Sequence, residues 1–210
     1  MINFENIKTF SSEIPDTYGF LWTPEEVEKL PQEHKDQIYF LNEDAGQFLK
    51  NYISSSKMAT GPSWKPFNDK YFNTIEEFQV NENSDDEIKK WLYNKPIRFD
   101  KFVYLQNESN GHFATLTWKM IIKYWKDFFF ADDLLIFDET LNWGLYYFHE
   151  NNLFFATDKI YDKEFEYQRI KDLKELKDKF FNKDNLNFTK EEKREAVRNF
   201  KEKYNTDSIE

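Results

Sequence analysis

Apolar density in the chain concentrates between residues 118 and 159, WKMIIKYWKDFFFADDLLIFDETLNWGLYYFHENNLFFATDK. Met120, Ile121, Tyr124, Trp125 and Phe128 recur there at spacings of three and four, which predicts a helix over 117–128 with one buried face. Asp132 and Asp133 break that period, and the short apolar run 134–137 follows as a strand. Two more strands are predicted at 143–149 and 153–157, joined by Asn151-Asn152, a pair suited to tight turns. The segment therefore reads as one helix followed by three antiparallel strands.

The pattern is sparser upstream. Thr23-Pro24-Glu25-Glu26 supplies an N-cap, a proline at the first helical position and a capping-box glutamate. Tyr18, Phe20, Leu21 and Trp22 just before it are expected to dock on the core. A helix over 42–53 would bury Ala45, Phe48, Leu49 and Tyr52, and one from Ser84 to about residue 93 would bury Ile88, Trp91 and Leu92. Strands are expected at 102–106 and 112–116 with a turn at 107–111. Residues 64–83 mix aromatics with turn formers and fit no single period. Beyond Lys159 the spacing of Phe165, Ile170, Leu173, Leu176, Phe180 and Phe181 is helical, and Thr189 caps a last polar helix. The expected fold is α+β: residues 1–158 form an antiparallel sheet of about five strands with helices against one face, and 159–210 a helical extension.

Composition narrows the function. The 210 residues suffice for one well-buried core. No run of about 18 apolar residues is present, so no transmembrane helix is expected. The acidic N-terminal stretch lacks the layout of a secretory signal, which makes the cytoplasm the expected compartment. The absence of cysteine excludes disulfides, thiolate metal sites and cysteine nucleophiles. Aromatic content is high, with 23 Phe, 12 Tyr and 6 Trp. The net charge of -10 is unevenly placed: residues 1–158 hold 15 Lys and Arg against 26 Asp and Glu, and the remainder 14 against 13. So acidic a core disfavours nucleic acid and anionic membranes as partners and favours cationic ones.

Three groups of residues could carry chemistry. Asp132, Asp133, Asp138 and Glu139 flank the 134–137 strand; they could pair as acid and base or hold a hard cation, but turn residues solvating strand ends are the stronger reading. His112 and His149 lie on predicted strands of one sheet and could join Glu150 or Glu139 around zinc in a metal-dependent hydrolase, although no short ligand spacing such as HExxH supports this. No glycine-rich phosphate loop or nucleophile elbow is present. The triples Phe128-Phe129-Phe130 and Tyr146-Tyr147-Phe148 must point partly away from a one-sided core. They make either an exposed protein-binding patch ringed by the four acids, or one side of a sheet whose second face lies under the C-terminal helices.

Two resemblances bear on this choice. The aromatic helix WKMIIKYWKDF followed by an acidic turn resembles the W-K-x-F-L-F-F-x-D segment in a family of small bacterial proteins of unassigned activity. Phe137, Asp138, Glu139 and Trp143 resemble the F-D-E-x-x-x-W stretch that precedes a terminal hairpin in immunity proteins of bacterial polymorphic-toxin and contact-dependent competition systems. The likeness spans about 40 residues, and the helical tail has no counterpart in either. It implies a non-enzymatic inhibitor, without cofactor, that neutralises a cognate basic toxin by stoichiometric binding. The contact region would then comprise Asp132, Asp133, Asp138, Glu139, Trp143 and Tyr147. A third reading is an adaptor whose helical tail binds a partner.

Overall fold

The computed structural model describes residues 1–13, 23–108, 111–130, 132–159, 163–180 and 188–204. The chain divides into two compact units, Met1–Ile160 and Tyr161–Glu210. The first opens with a 3-10 turn, Ile7–Phe10, then α1 (Pro24–Glu28), α2 (Gln32–Lys35), β1 (Ile38–Phe40) and α3 (Glu43–Ser56). It continues with β2 (Phe72–Gln79), α4 (Asp85–Tyr93), β3 (Phe102–Asn107), β4 (Phe113–Thr117), α5 (Trp118–Lys123) and α6 (Trp125–Phe128). The last strands are β5 (Leu134–Phe137), β6 (Gly144–Phe148) and β7 (Asn152–Lys159); the second unit holds α7 (Lys163–Phe180) and α8 (Lys190–Tyr204). The fold is α+β, as expected, but the antiparallel sheet has seven strands, in the order β1-β4-β3-β5-β6-β7-β2.

Register explains the continuous apolar runs. Ile38, Leu116 and Val103 share one face, as do Leu105, Ile136, Leu145 and Phe155 across the four central neighbours. These pack with Ile88 and Leu92 of α4, Met120 and Ile121 of α5, and Trp125 and Phe128 of α6. The opposite face carries Tyr104, Phe137, Leu135, Tyr146 and Phe154. It is covered too, which overturns the expectation of helices on one face only. Phe113 meets Gly46 of α3, Phe4 meets Tyr104 with ring centroids 5.4 Å apart, and the Phe67 ring fills the space that Gly144 leaves open. Strands β4, β5 and β6 are accordingly buried from end to end, each large apolar side chain contributing about 1.5–3 kcal/mol.

The two strands that sequence pattern missed lie at the sheet edges. β1 has three residues, too few for a period to register. β2 is half exposed and carries Glu76 at the position opposite Phe155, on the helix-covered face. The Lys95 ammonium makes this tolerable: it bonds Glu76 Oε2 at 2.5 Å and sits 3.7 Å over the Trp91 ring. Burial pushes the Lys95 pKa down while the bond to Glu76 opposes that shift.

Capping chemistry was legible. Thr23 and Ser84 each close a capping box, with Glu26 and Glu87 respectively. The helix expected over 117–128 is instead broken at Tyr124, whose backbone leaves helical geometry. The Tyr124 hydroxyl lies 2.6 Å from Nδ1 of buried His34, and the break lets Trp125 Nε1 donate to Asp85 at 2.6 Å. In the second unit, Thr189 bonds Glu192 at the start of α8, and Lys203 reaches Asp172 of α7 at 2.6 Å. Tyr18, Phe20, Leu21, Trp22 and Phe181 fall outside the described residues, as do the side chains of Phe165 and Ile170.

Candidate functional site

β5 separates five of the six nominated contact residues into a group at each of its ends, and the sixth, Tyr147, lies in the core. At its C-terminal end, Asp138 is buried and serves the turn. Its Oδ1 accepts from the backbone N–H and hydroxyl of Thr140, and its Oδ2 accepts from Trp143 Nε1 at 3.0 Å. Trp143 is itself buried, stacked on Phe155 and edge-on to Trp118. Glu139 pairs with Lys101, and its backbone carbonyl accepts from Tyr52 at 2.6 Å. Tyr147 is fully buried on the helix-covered face, its ring 5.4 Å from Phe129.

The other end is different. Asp133 Oδ1 accepts from the backbone N–H of His149 at 2.9 Å and lies 2.7 Å from His149 Nδ1. Asp133 Oδ2 is 3.1 Å from the Tyr146 hydroxyl, which also donates to Glu108 Oε2 at 2.8 Å. Ser63 Oγ stands 3.4 Å from the same hydroxyl. Asn107, buried at the end of β3, donates to Asp132 at 3.2 Å. These residues meet because β3, β5 and β6 are successive neighbours: Asn107 pairs with Leu134, and Leu134 with Tyr147.

Two large aromatics stand exposed beside this cluster. Trp64 is 69% exposed and Phe130 76%. Trp64 rides on a tight loop held by bonds from Gly61 N to the Pro66 carbonyl and from Lys65 N to the Pro62 carbonyl. A Cβ at Gly61 would lie 1.8 Å from the Lys65 carbonyl oxygen, so the loop needs glycine there. An antiparallel bridge between Ala59 and Phe67 closes its base, and the buried Phe67 anchors it against the sheet. Phe130 follows the buried Phe128 and Phe129, and its carbonyl is 3.4 Å from the Tyr147 hydroxyl. Trp64 therefore projects from a loop pinned at its base.

Electrostatics in the cluster are unequal. Burial would raise Asp133, but hydrogen bonds from the His149 N–H, Ser63, the His149 ring and Tyr146 outweigh it and hold the carboxyl below its usual range. Burial, and then the neighbouring Asp133 charge, push Glu108 up against the opposing bond from Tyr146. Tyr146 has one proton for two carboxylates, so one acceptor goes short when both are ionised. An amide at position 108 could donate to the phenol oxygen and free the phenol proton for Asp133. Because the folded-state pKa of Glu108 is raised, its contribution is most favourable below about pH 4.3 and is lost as pH rises through the raised value. Glu108→Gln should therefore melt at a higher temperature than wild type at pH 7, with the two curves converging near pH 4. Thermal melts across that range provide the check.

The histidine pair does not assemble. His112 precedes β4 and His149 follows β6 at the same sheet end, with β3 and β5 between them, a lateral separation of three strand spacings or about 14 Å. Among the described residues, no group of three or more His, Asp or Glu side chains could hold a metal ion. Sequence reasoning nominated Asp132 and Asp133 and singled out the Tyr146-Tyr147-Phe148 triple but took Tyr147 rather than Tyr146 as the contact, and it missed Ser63, Trp64 and Glu108. The available signal for Trp64 was an aromatic set among Thr60, Gly61, Pro62, Ser63 and Pro66, where no helical or strand period gives it a core to face.

The fold and this sheet end define an antiparallel α+β domain with an acidic, aromatic surface. No family model, curated protein or solved structure matches the chain. Among the described residues, no helix is long and apolar enough to cross a membrane.

Proposed function

We propose that the protein is an immunity-type inhibitor that binds a basic toxin in the cytoplasm, without catalysis of its own. Its contact surface is the end of the sheet bearing Trp64, Glu108, Phe130, Asp132 and Asp133. The observation that carries this reading is the exposure of Trp64 and Phe130 at the sheet end that holds Glu108, Asp132 and Asp133. Exposed aromatics on an ordered support lose little entropy on binding and are the usual anchors of tight interfaces. The surrounding acidity would steer a cationic partner onto them, raising the association rate more than the affinity. The acidic excess of residues 1–158 and the F-D-E-x-x-x-W likeness support the same reading.

The role of that motif shifts within this proposal. Asp138 and Trp143 would hold the turn and core, leaving contact to the opposite end of β5. The test is affinity capture from the source organism, with the full chain as bait, at low and moderate salt. The expected result is one stoichiometric basic protein whose toxic activity the chain suppresses and whose capture weakens with salt. Capture of no basic protein at either salt concentration, or of one whose activity is unaffected, would overturn the proposal.

A further inference from the structure

A second surface has the opposite character. Tyr93 at the end of α4 and Phe99 in the following segment are 60% and 39% exposed, with ring centroids 4.7 Å apart. With Ile122 they floor an open cleft of about 510 Å³, rimmed by Lys89, Lys119 and Lys123. Among the described residues, no carboxylate lines it. Lys89 bonds Asp85 at 3.0 Å, whereas Lys119 and Lys123 form no ion pair among the described residues. Those two lysines are one turn apart on α5, a like-charge spacing that costs helix stability unless something anionic sits between them. In a unit with 26 acidic residues against 15 basic ones up to residue 158, such a basic rim around bare aromatics is a local reversal of sign.

We propose that this cleft binds an acidic peptide segment of a protein partner, with an apolar side chain seated against Tyr93, Phe99 and Ile122 and flanking carboxylates on Lys119 and Lys123. The openness of the cleft favours a side chain presented by a larger surface over a free small molecule, which would leave much of itself in water. Charge complementarity selects the partner. A second copy of this chain is disfavoured, since its overall acidity would repel before a short segment could dock. The site is independent of the toxin-binding proposal, having opposite charge and separate residues.

The test uses the full chain and a fluorescein-labelled synthetic peptide in which Phe and Leu alternate with Asp and Glu, read by anisotropy. Binding should saturate, weaken with salt, and fall about tenfold or more in Lys119→Glu/Lys123→Glu, while Lys119→Arg/Lys123→Arg retains it. Amide shifts of Ile122 and Phe99 should move on titration. Melting curves of both variants should match wild type, because these lysines are exposed. Four results would overturn the proposal: no binding, equal binding by a Lys-for-Asp and Lys-for-Glu version of the peptide, an undiminished affinity in the charge-reversed variant, or displacement of the peptide by self-association at high protein concentration.

Discussion

Trp143→Ala should lower the unfolding free energy by about 3–5 kcal/mol, the usual cost of removing a buried tryptophan. A small domain has about 5–15 kcal/mol in all, so the variant should be largely unfolded at moderate urea concentrations. Three interactions are lost together. The indole is stacked on Phe155 with centroids 6.0 Å apart, lies edge-on to Trp118 at 5.9 Å, and gives its N–H to Asp138. Removing the ring also leaves Asp138 Oδ2 without that donor in a site only 5% exposed. Trp143→Phe separates the contributions: most of the packing stays, and the loss should fall to about 1.5–3 kcal/mol, the range for a hydrogen bond to a charged group. Urea unfolding at constant slope measures both. A loss below about 1 kcal/mol in the alanine variant would return Trp143 to the list of contact residues.

That experiment bears on how far sequence alone could reach. The central strands were legible because β5 and β6 are buried on both faces and read as apolar runs, and β4, equally buried, differs only by its two threonines. The helix starts were legible from capping residues. Edge strand β2 was not, because Glu76 interrupts the face that Phe72 and Phe78 share, and Glu77 follows Ile75 on the other. The contact residues depended on strand parity. Tyr146 and Tyr147 are adjacent in a run without alternation, and nothing local says which one faces the core helices. Pairing decides it: Tyr147 lies opposite Leu134 and Leu153 in the core, while Tyr146 lies opposite Leu135 and Phe154 and reaches Glu108 and Asp133. Likewise, Asp133 and Asp138 are equally plausible turn acids in sequence. Only the partners differ, a tyrosine and an exposed histidine for one and a buried tryptophan for the other.

Trp64→Ala and Phe130→Ala should do the reverse of Trp143→Ala, sparing the fold and weakening the partner complex. Both side chains are mostly in solvent, so each truncation should change stability by no more than about 0.5 kcal/mol. If they anchor the toxin, each should cost about 2 kcal/mol or more of binding, which is roughly a 30-fold rise in Kd, expressed chiefly as faster dissociation. Glu108→Lys should act on the other half of the mechanism. Its main effect should be slower association at low salt, shrinking as ionic strength rises and the long-range field is screened. Surface plasmon resonance with the captured partner resolves the two rate constants. Unchanged dissociation in both alanine variants would place the contact surface elsewhere. A salt-independent effect of Glu108→Lys would mean that the acid serves Tyr146 and the sheet end rather than the partner.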